Sequence, residues 1–185
     1  TLLQEAAKIY EKAVKKRQLH TAFVIDKLPS NFQSIALIKA LFPKAKIIHL
    51  TRNFADTALS IFKNHFAENE PYLCNLHELS LYYQKYNDLM QYWSRCYPEA
   101  ILELSYEELV SKPEPSLKSV LTYCGLQEYD AVWDPTDQAN SIGAPSQLVK
   151  TLSSVQVVSA IHTRSVGTHN AYLALMKKHG LLTPP

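Results

Sequence analysis

Arg52, followed directly by Asn53 and eight positions later by Ser60, is the residue set in this chain best suited to holding a phosphate. The run Ile47-Ile48-His49-Leu50 before it is short, apolar and partly β-branched, the composition of a buried strand. Asn53 is a helix-capping residue type, so strand, arginine and helix N-terminus come in order. A guanidinium fork matches phosphate oxygens bidentately, a hydroxyl can donate to the same group, and a helix N-terminus favours negative charge. Such an arrangement would handle a phosphorylated nucleotide. The competing reading is an i, i+4 ion pair between Arg52 and Asp56, with Ser60 on the helix surface. The spacing alone favours neither.

Two further residues carry chemistry. Lys27 lies in Asp26-Lys27-Leu28-Pro29, just after the apolar run Ala22-Phe23-Val24-Ile25, which predicts a buried strand delivering an ammonium to a sheet rim. Alternatively it is a solvated lysine paired with Asp26. Tyr106 follows a third apolar run, Ala100 to Leu104, and could stack on a base or hydrogen-bond it; its bland alternative is a core tyrosine. The stretch between Lys27 and Arg52 has room for one helix and one strand, so the two could sit side by side.

The remaining elements follow from periodicity. Leu2 to Leu19 predicts an amphipathic helix, and Ser30 or Asn31 is expected to cap a helix that stops at Pro43. Strands are expected at residues 22–25, 46–50 and 100–104. A helix capped by Asn53 should run to about Phe66, and a long one from about Leu76 to Cys96. Tyr106 begins a short helix; Pro113 or Pro115 opens another that ends at Gly125, a C-cap residue type. Residues 126–165 read as ordered loop and Ala171 to His179 as a terminal helix. Strands separated by helices predict an α/β fold with a mostly parallel sheet, and ligands bind beyond the C-terminal ends of such strands.

Composition narrows the function classes. The 185 residues are 46% hydrophobic and 19% charged, which predicts a single domain with a real core. A net charge of +2 with Lys and Arg dispersed argues against an electrostatic nucleic-acid binder. Cys74, Cys96 and Cys124 form no CxxC and are expected to be reduced and buried, which fits a cytoplasmic setting. There is no apolar run long enough for a membrane span. The histidines lack metal-ligand spacing, so no metal is expected; His49 reads as a hydrogen-bonded core residue, and His65, His162 and His169 as surface or loop residues. All four glycines lie at or after Gly125, which excludes a glycine-rich phosphate loop in the first 124 residues.

Several segments in order resemble the PAPS-dependent sulfotransferases, nearest to the tyrosylprotein-sulfotransferase-like bacterial group often fused to TPR repeats. They are AFVIDKLPSNFQSIALIKALFPKAKIIHLTRNFADTALSIFKNHF, LHELSLYYQKYNDLMQYW, ILELSYEELVSKPE, SVLTYCGL and TLSSVQVVSAIHTRSVG, spanning about residues 22 to 167. The resemblance implies a P-loop-NTPase-like three-layer sandwich and sulfuryl transfer from PAPS to a hydroxyl acceptor, a peptide tyrosine or a small molecule. It assigns Arg52 and Ser60 to the 3′-phosphate, Tyr106 to adenine, and Lys27 to the bridging oxygen and sulfuryl group. Ser153 is placed near the phosphosulfate with Thr151 beside it, and Arg164 of the same segment is assigned to the cofactor.

The chain also departs from the family pattern. The family's PRSGT-like phosphosulfate loop and its acidic general base lie upstream of the DK motif, and neither Glu5 nor Glu11 fits the base. Thr168 and His169 stand where relatives usually carry a basic residue and tryptophan. The expectation is therefore the C-terminal part of a sulfotransferase domain, spanning 1–185, that holds the 3′-phosphate and adenine half of the cofactor site and does not turn over alone. An unpaired sheet edge in such a piece would invite a homodimer. The alternatives are a degenerate, non-catalytic nucleotide- or protein-binding module and a P-loop-type kinase, the latter disfavoured by the missing GxxxxGK[ST].

Overall fold

The computed structural model describes residues 2–16, 23–63, 71–73, 75–127 and 161–178. These are α1 (Leu2–Lys16), α2 (Ile35–Leu41), β1 (Ile47–Thr51), α3 (Phe54–Lys63), α4 (Leu76–Cys96), β2 (Ile101–Ser105), α5 (Tyr106–Ser111), α6 (Pro113–Cys124) and α7 (Leu173–Lys178). Short 3-10 helices over Pro29–Ser34 and Thr168–Tyr172 lead into α2 and α7. The chain divides into two compact units, Thr1–Ile47 with Tyr82–Ile101, and Ile48–Leu81 with Leu102–Pro185.

Within the first unit, Ile35 and Met90 are buried. Trp93 donates its indole N–H to the Phe32 carbonyl at 2.8 Å, and the Phe32 ring meets Tyr86 edge-on with centroids 5.1 Å apart. Those bonds anchor the 3-10 entry to α2 on α4. Helix α2 is not capped by Ser30 or Asn31 as expected: Pro29 opens a 3-10 helix first, and the Asn31 amide turns back to Asp26 instead. Proline suits that first helical position, since it has no N–H to leave unbonded.

The second unit holds most of the sheet. The Ile47 N–H donates to Ala100 and the Thr51 hydroxyl to Leu104, so partners advance together along both strands and the ladder is parallel. Among the described residues the sheet has two strands, β1 and β2. The described residues are thus mostly helical, with a small parallel sheet, an α/β composition. The strand expected at residues 22–25 is absent from its described part: Phe23 to Leu28 have no regular structure, and Phe23, Val24 and Ile25 are exposed. A strand exists by virtue of its ladder. An apolar β-branched run with no strand beside it among the described residues is irregular here, whatever its composition.

Several other expectations hold closely, while the loop expected over residues 126–165 lies largely outside the described residues, as do Cys74 and His65. Helix α4 has the expected bounds, β1 and β2 are each displaced by one residue, and Gly125 ends α6 with φ +70°. Cys96 is exposed, not buried as expected, because it ends α4 at the surface; Cys124 is half-buried, and both are free thiols. His49 is half-buried on β1, with burial pushing its pKa below 6.5 against the opposing pull of Glu103. Among the described residues, no helix is long and apolar enough to cross a membrane.

Candidate functional site

The site is built where β1 runs out and α3 begins. Asn53 caps α3 as its sequence suggests, its side-chain oxygen accepting from the Asp56 N–H at 3.2 Å. Residues 54, 55, 56 and 58 are buried, so the first turn of α3 is fixed in the core of its unit. Arg52, just before the cap, is thereby held at a defined point. Its Nη2 donates to the Ser165 carbonyl at 2.7 Å, and its guanidinium lies 4.9 Å from the centroid of the Tyr106 ring. Its Nε is shielded from water and has no hydrogen-bond partner among the described residues.

Tyr106 is placed by β2 and by the start of α5. Ser105 caps α5, accepting from the Glu108 N–H at 3.3 Å while its hydroxyl donates to Glu107 at 2.9 Å. The other Glu107 oxygen accepts from the Asn53 N–H at 2.9 Å, joining the start of α5 to the start of α3. Burial pushes the Glu107 pKa up, but the Asn53 and Glu107 N–H groups, the Ser105 hydroxyl and the Arg52 charge together bring it below 4.5. Glu107 stays ionised beside Arg52 near neutral pH.

Asp56 is the most heavily bonded side chain of the region, and it does not pair with Arg52. It is 1% exposed. One oxygen accepts from the Gly167 N–H at 2.7 Å; the other accepts from the Thr168 hydroxyl and the His169 N–H, both at 2.9 Å, and meets His169 Nδ1 at 2.9 Å. Burial pushes its pKa up, yet these four donors outweigh burial and hold it at about 2. His169 is therefore half-buried and engaged, where the sequence suggested a surface or loop residue.

The other expected site residues fall in different places. Ser60 is half-buried on α3, one turn after Asp56 and on the same helix face. Arg164 is exposed, one residue before the Ser165 carbonyl that receives Arg52. Lys27 belongs to the first unit. It is exposed in the irregular segment before Pro29, not at a strand exit, and Asp26 beside it takes the Tyr10 hydroxyl at 2.5 Å and the Asn31 amide at 3.5 Å. Thr151 and Ser153 lie outside the described residues. Among the described residues no group of His, Cys, Asp and Glu is arranged to hold a metal ion.

Sequence reasoning missed Asp56, Glu107 and the Ser165 carbonyl. Asp56 offered little signal, since its neighbours three and four residues away are Arg52, Asn53, Leu59 and Ser60, a mostly polar face. Its partners are more than 110 positions away, a separation no local pattern reports.

Comparisons with known proteins bear on this geometry. The chain is 33% identical over 174 residues to an uncharacterized protein of Aquifex aeolicus (strain VF5), a match covering 92% of this chain and 22% of that protein. It thus spans about a fifth of its relative's length. The family model described as the Sulfotransferase family matches residues 1–131, which include Lys27, Arg52, Ser60 and Tyr106. On that match the chain belongs to the sulfotransferase family.

Proposed function

We propose that this chain supplies the 3′-phosphate and adenine half of a PAPS site in a sulfotransferase that moves a sulfuryl group to a hydroxyl acceptor. In this reading the grip on the 3′-phosphate comes from Arg52 and Ser60, and Tyr106 meets the adenine. Lys27 and Ser153 act at the sulfuryl group, with Thr151 and Arg164 on the nucleotide. A three-layer P-loop-like architecture, kinship with the TPR-fused bacterial group and a cytoplasmic setting belong to the same proposal.

One observation carries it. Among the described residues Arg52 makes one hydrogen bond, to the Ser165 carbonyl, and leaves Nε shielded and unbonded. Shielded donors are nearly always satisfied in folded proteins, and an unmet one calls for an explanation, a bound anion being one. A phosphate dianion at the guanidinium edge would accept the unused donors, and charge-assisted bonds of that kind are the strong ones. The residues present therefore fit a nucleotide phosphate.

PAPS, when bound, provides the activated sulfuryl group. What this chain's residues do is orient and neutralise: Arg52 fixes the nucleotide, and the exposed Lys27 ammonium is free to meet charge developing on the departing oxygen. The acceptor's proton must go to a base.

Calorimetry with 3′,5′-adenosine bisphosphate tests the reading. Arg52→Lys keeps the charge and loses the fork; affinity should fall roughly 10- to 100-fold, the worth of a lost charge-assisted bidentate contact. Equal affinity in wild type and variant would leave Arg52 as a structural residue bonded to Ser165 and Tyr106, and the non-catalytic module would be the better reading.

A further inference from the structure

We propose that Asp56 is a positioning residue for the anion site: it locks the Gly167-Thr168-His169 turn onto the first turn of α3 and so fixes the Ser165 carbonyl that orients Arg52. This rests on reading Arg52 as the 3′-phosphate ligand.

Two tethers join the same two short segments. Arg52 and Asp56 lie four residues apart at the start of α3, while their partners, Ser165 and residues 167–169, are consecutive or nearly so. Such a pair of tethers defines a geometry that either alone would leave free to pivot. The backbone hydrogen bonds within the turn are local. Val166 N–H returns to Thr163, Asn170 N–H returns to Gly167, and Gly167 adopts φ +71°. Residues 161–164 before it are exposed. Among the described residues Asp56 is its hydrogen-bonded attachment to the first turn of α3, through the Gly167 and His169 N–H groups and the Thr168 and His169 side chains, while at the far end of α3 the Lys63 ammonium lies 4.7 Å from the centroid of the Tyr172 ring.

The carboxylate suits this role for a physical reason. Three consecutive residues direct four donors at one point, and only an ionised carboxylate has the acceptor capacity to meet them in a buried place. Asparagine would replace one acceptor oxygen with an NH₂ facing donors. The turn would then swing away from α3, and the Ser165 carbonyl with it. Arg52 would keep its charge and its place in the chain, yet lose the bond that sets the direction of its fork.

A merely structural carboxylate and a positioning one differ in what their loss does to two nucleotides. The experiment is calorimetry on the 185-residue chain with 3′,5′-adenosine bisphosphate and with adenosine 5′-monophosphate, which lacks the 3′-phosphate. Wild type should prefer the bisphosphate. Asp56→Asn should bind it roughly tenfold more weakly, about one charge-assisted hydrogen bond's worth, with monophosphate affinity unchanged. A wild type that binds both nucleotides alike would overturn the nucleotide reading and this inference together. A preferring wild type whose folded Asp56→Asn variant keeps its preference overturns the inference alone, as does an equal loss for both nucleotides. If Asp56→Asn fails to fold by circular dichroism, Thr168 decides. Thr168→Val should lose part of the preference and Thr168→Ser should retain it; equal preference in both refutes the lock.

Discussion

Protonating Asp56 should release the 167–169 turn from α3 before the rest of the unit comes apart. The carboxyl titrates at about 2 in place of the ordinary 3.8. A shift of nearly two units is worth on the order of 2 kcal/mol, at about 1.36 kcal/mol per unit. Because the pKa is depressed on folding, that stabilisation is complete above about pH 4 and is lost as pH falls toward 2. The Gly167 and His169 amides donate directly to the carboxylate, so their hydrogen-exchange protection reports the event locally. Gly125 is an internal reference: its N–H donates to Thr122 at the end of α6, and no carboxylate is involved. The quantity to measure is the ratio of Gly167 and His169 protection to that of Gly125, by nuclear magnetic resonance, from pH 5 down to pH 2. It should drop by roughly 30-fold, about half the antilogarithm of the pKa shift, because the folded carboxyl is itself half protonated at pH 2. A ratio flat across that range would show that the turn is held by something other than the carboxylate, and would remove the basis for Asp56 as a lock.

Three further outcomes follow from the geometry. Gly125→Ala should cost about 1 kcal/mol in denaturant unfolding: a Cβ there would touch nothing within 4 Å, so the loss is the left-handed backbone alone, and Gly125→Asn should recover part of it. Ser105→Ala removes both the cap of α5 and the hydroxyl that holds Glu107, and should destabilise by about 1 kcal/mol while raising the Glu107 pKa, measured by carbon-detected titration. Ile35→Ala should cost about 2–5 kcal/mol in unfolding, since Ile35 is 2% exposed and its removal leaves a cavity at the start of α2.

Legibility in the sequence followed the range of the forces concerned. Helix α4 could be read to the residue because its apolar stripe repeats locally, and the end of α6 because Gly125 alone relieves a left-handed strain. The Asn53 cap and the start of α5 at Tyr106 were legible for the same reason. Residues 22–25 misled because strand propensity describes a fit to a pleated surface, and the surface has to be supplied by another strand. Arg52 and Tyr106 could each be picked out as candidates, but their contact depends on the pairing of β1 with β2. Asp56 shows the limit most clearly. An aspartate four residues after an arginine invites a local ion pair, and the actual partners lie at the other end of the chain.

Glu107 explains why a grip on phosphate at this place would fall to side chains. The Asn53 N–H, which stands at the mouth of α3, is already given to Glu107, and the Asp56 N–H is given to the Asn53 cap. Two donors that a helix N-terminus could offer an anion are thus spent inside the protein. The chain has no glycine before Gly125 to build a loop of fresh backbone donors. The same rim carries a guanidinium that has used little of its bonding capacity among the described residues, flanked by an ionised Glu107 that keeps the local charge near balance. On the proposed reading a phosphate here meets a cation whose own carboxylate neighbour repels it, so affinity depends on how well the Arg52 fork is aimed. That dependence makes the Ser165 bond, and the Asp56 lock behind it, matter more to this site than they would to a phosphate loop lined with backbone N–H groups.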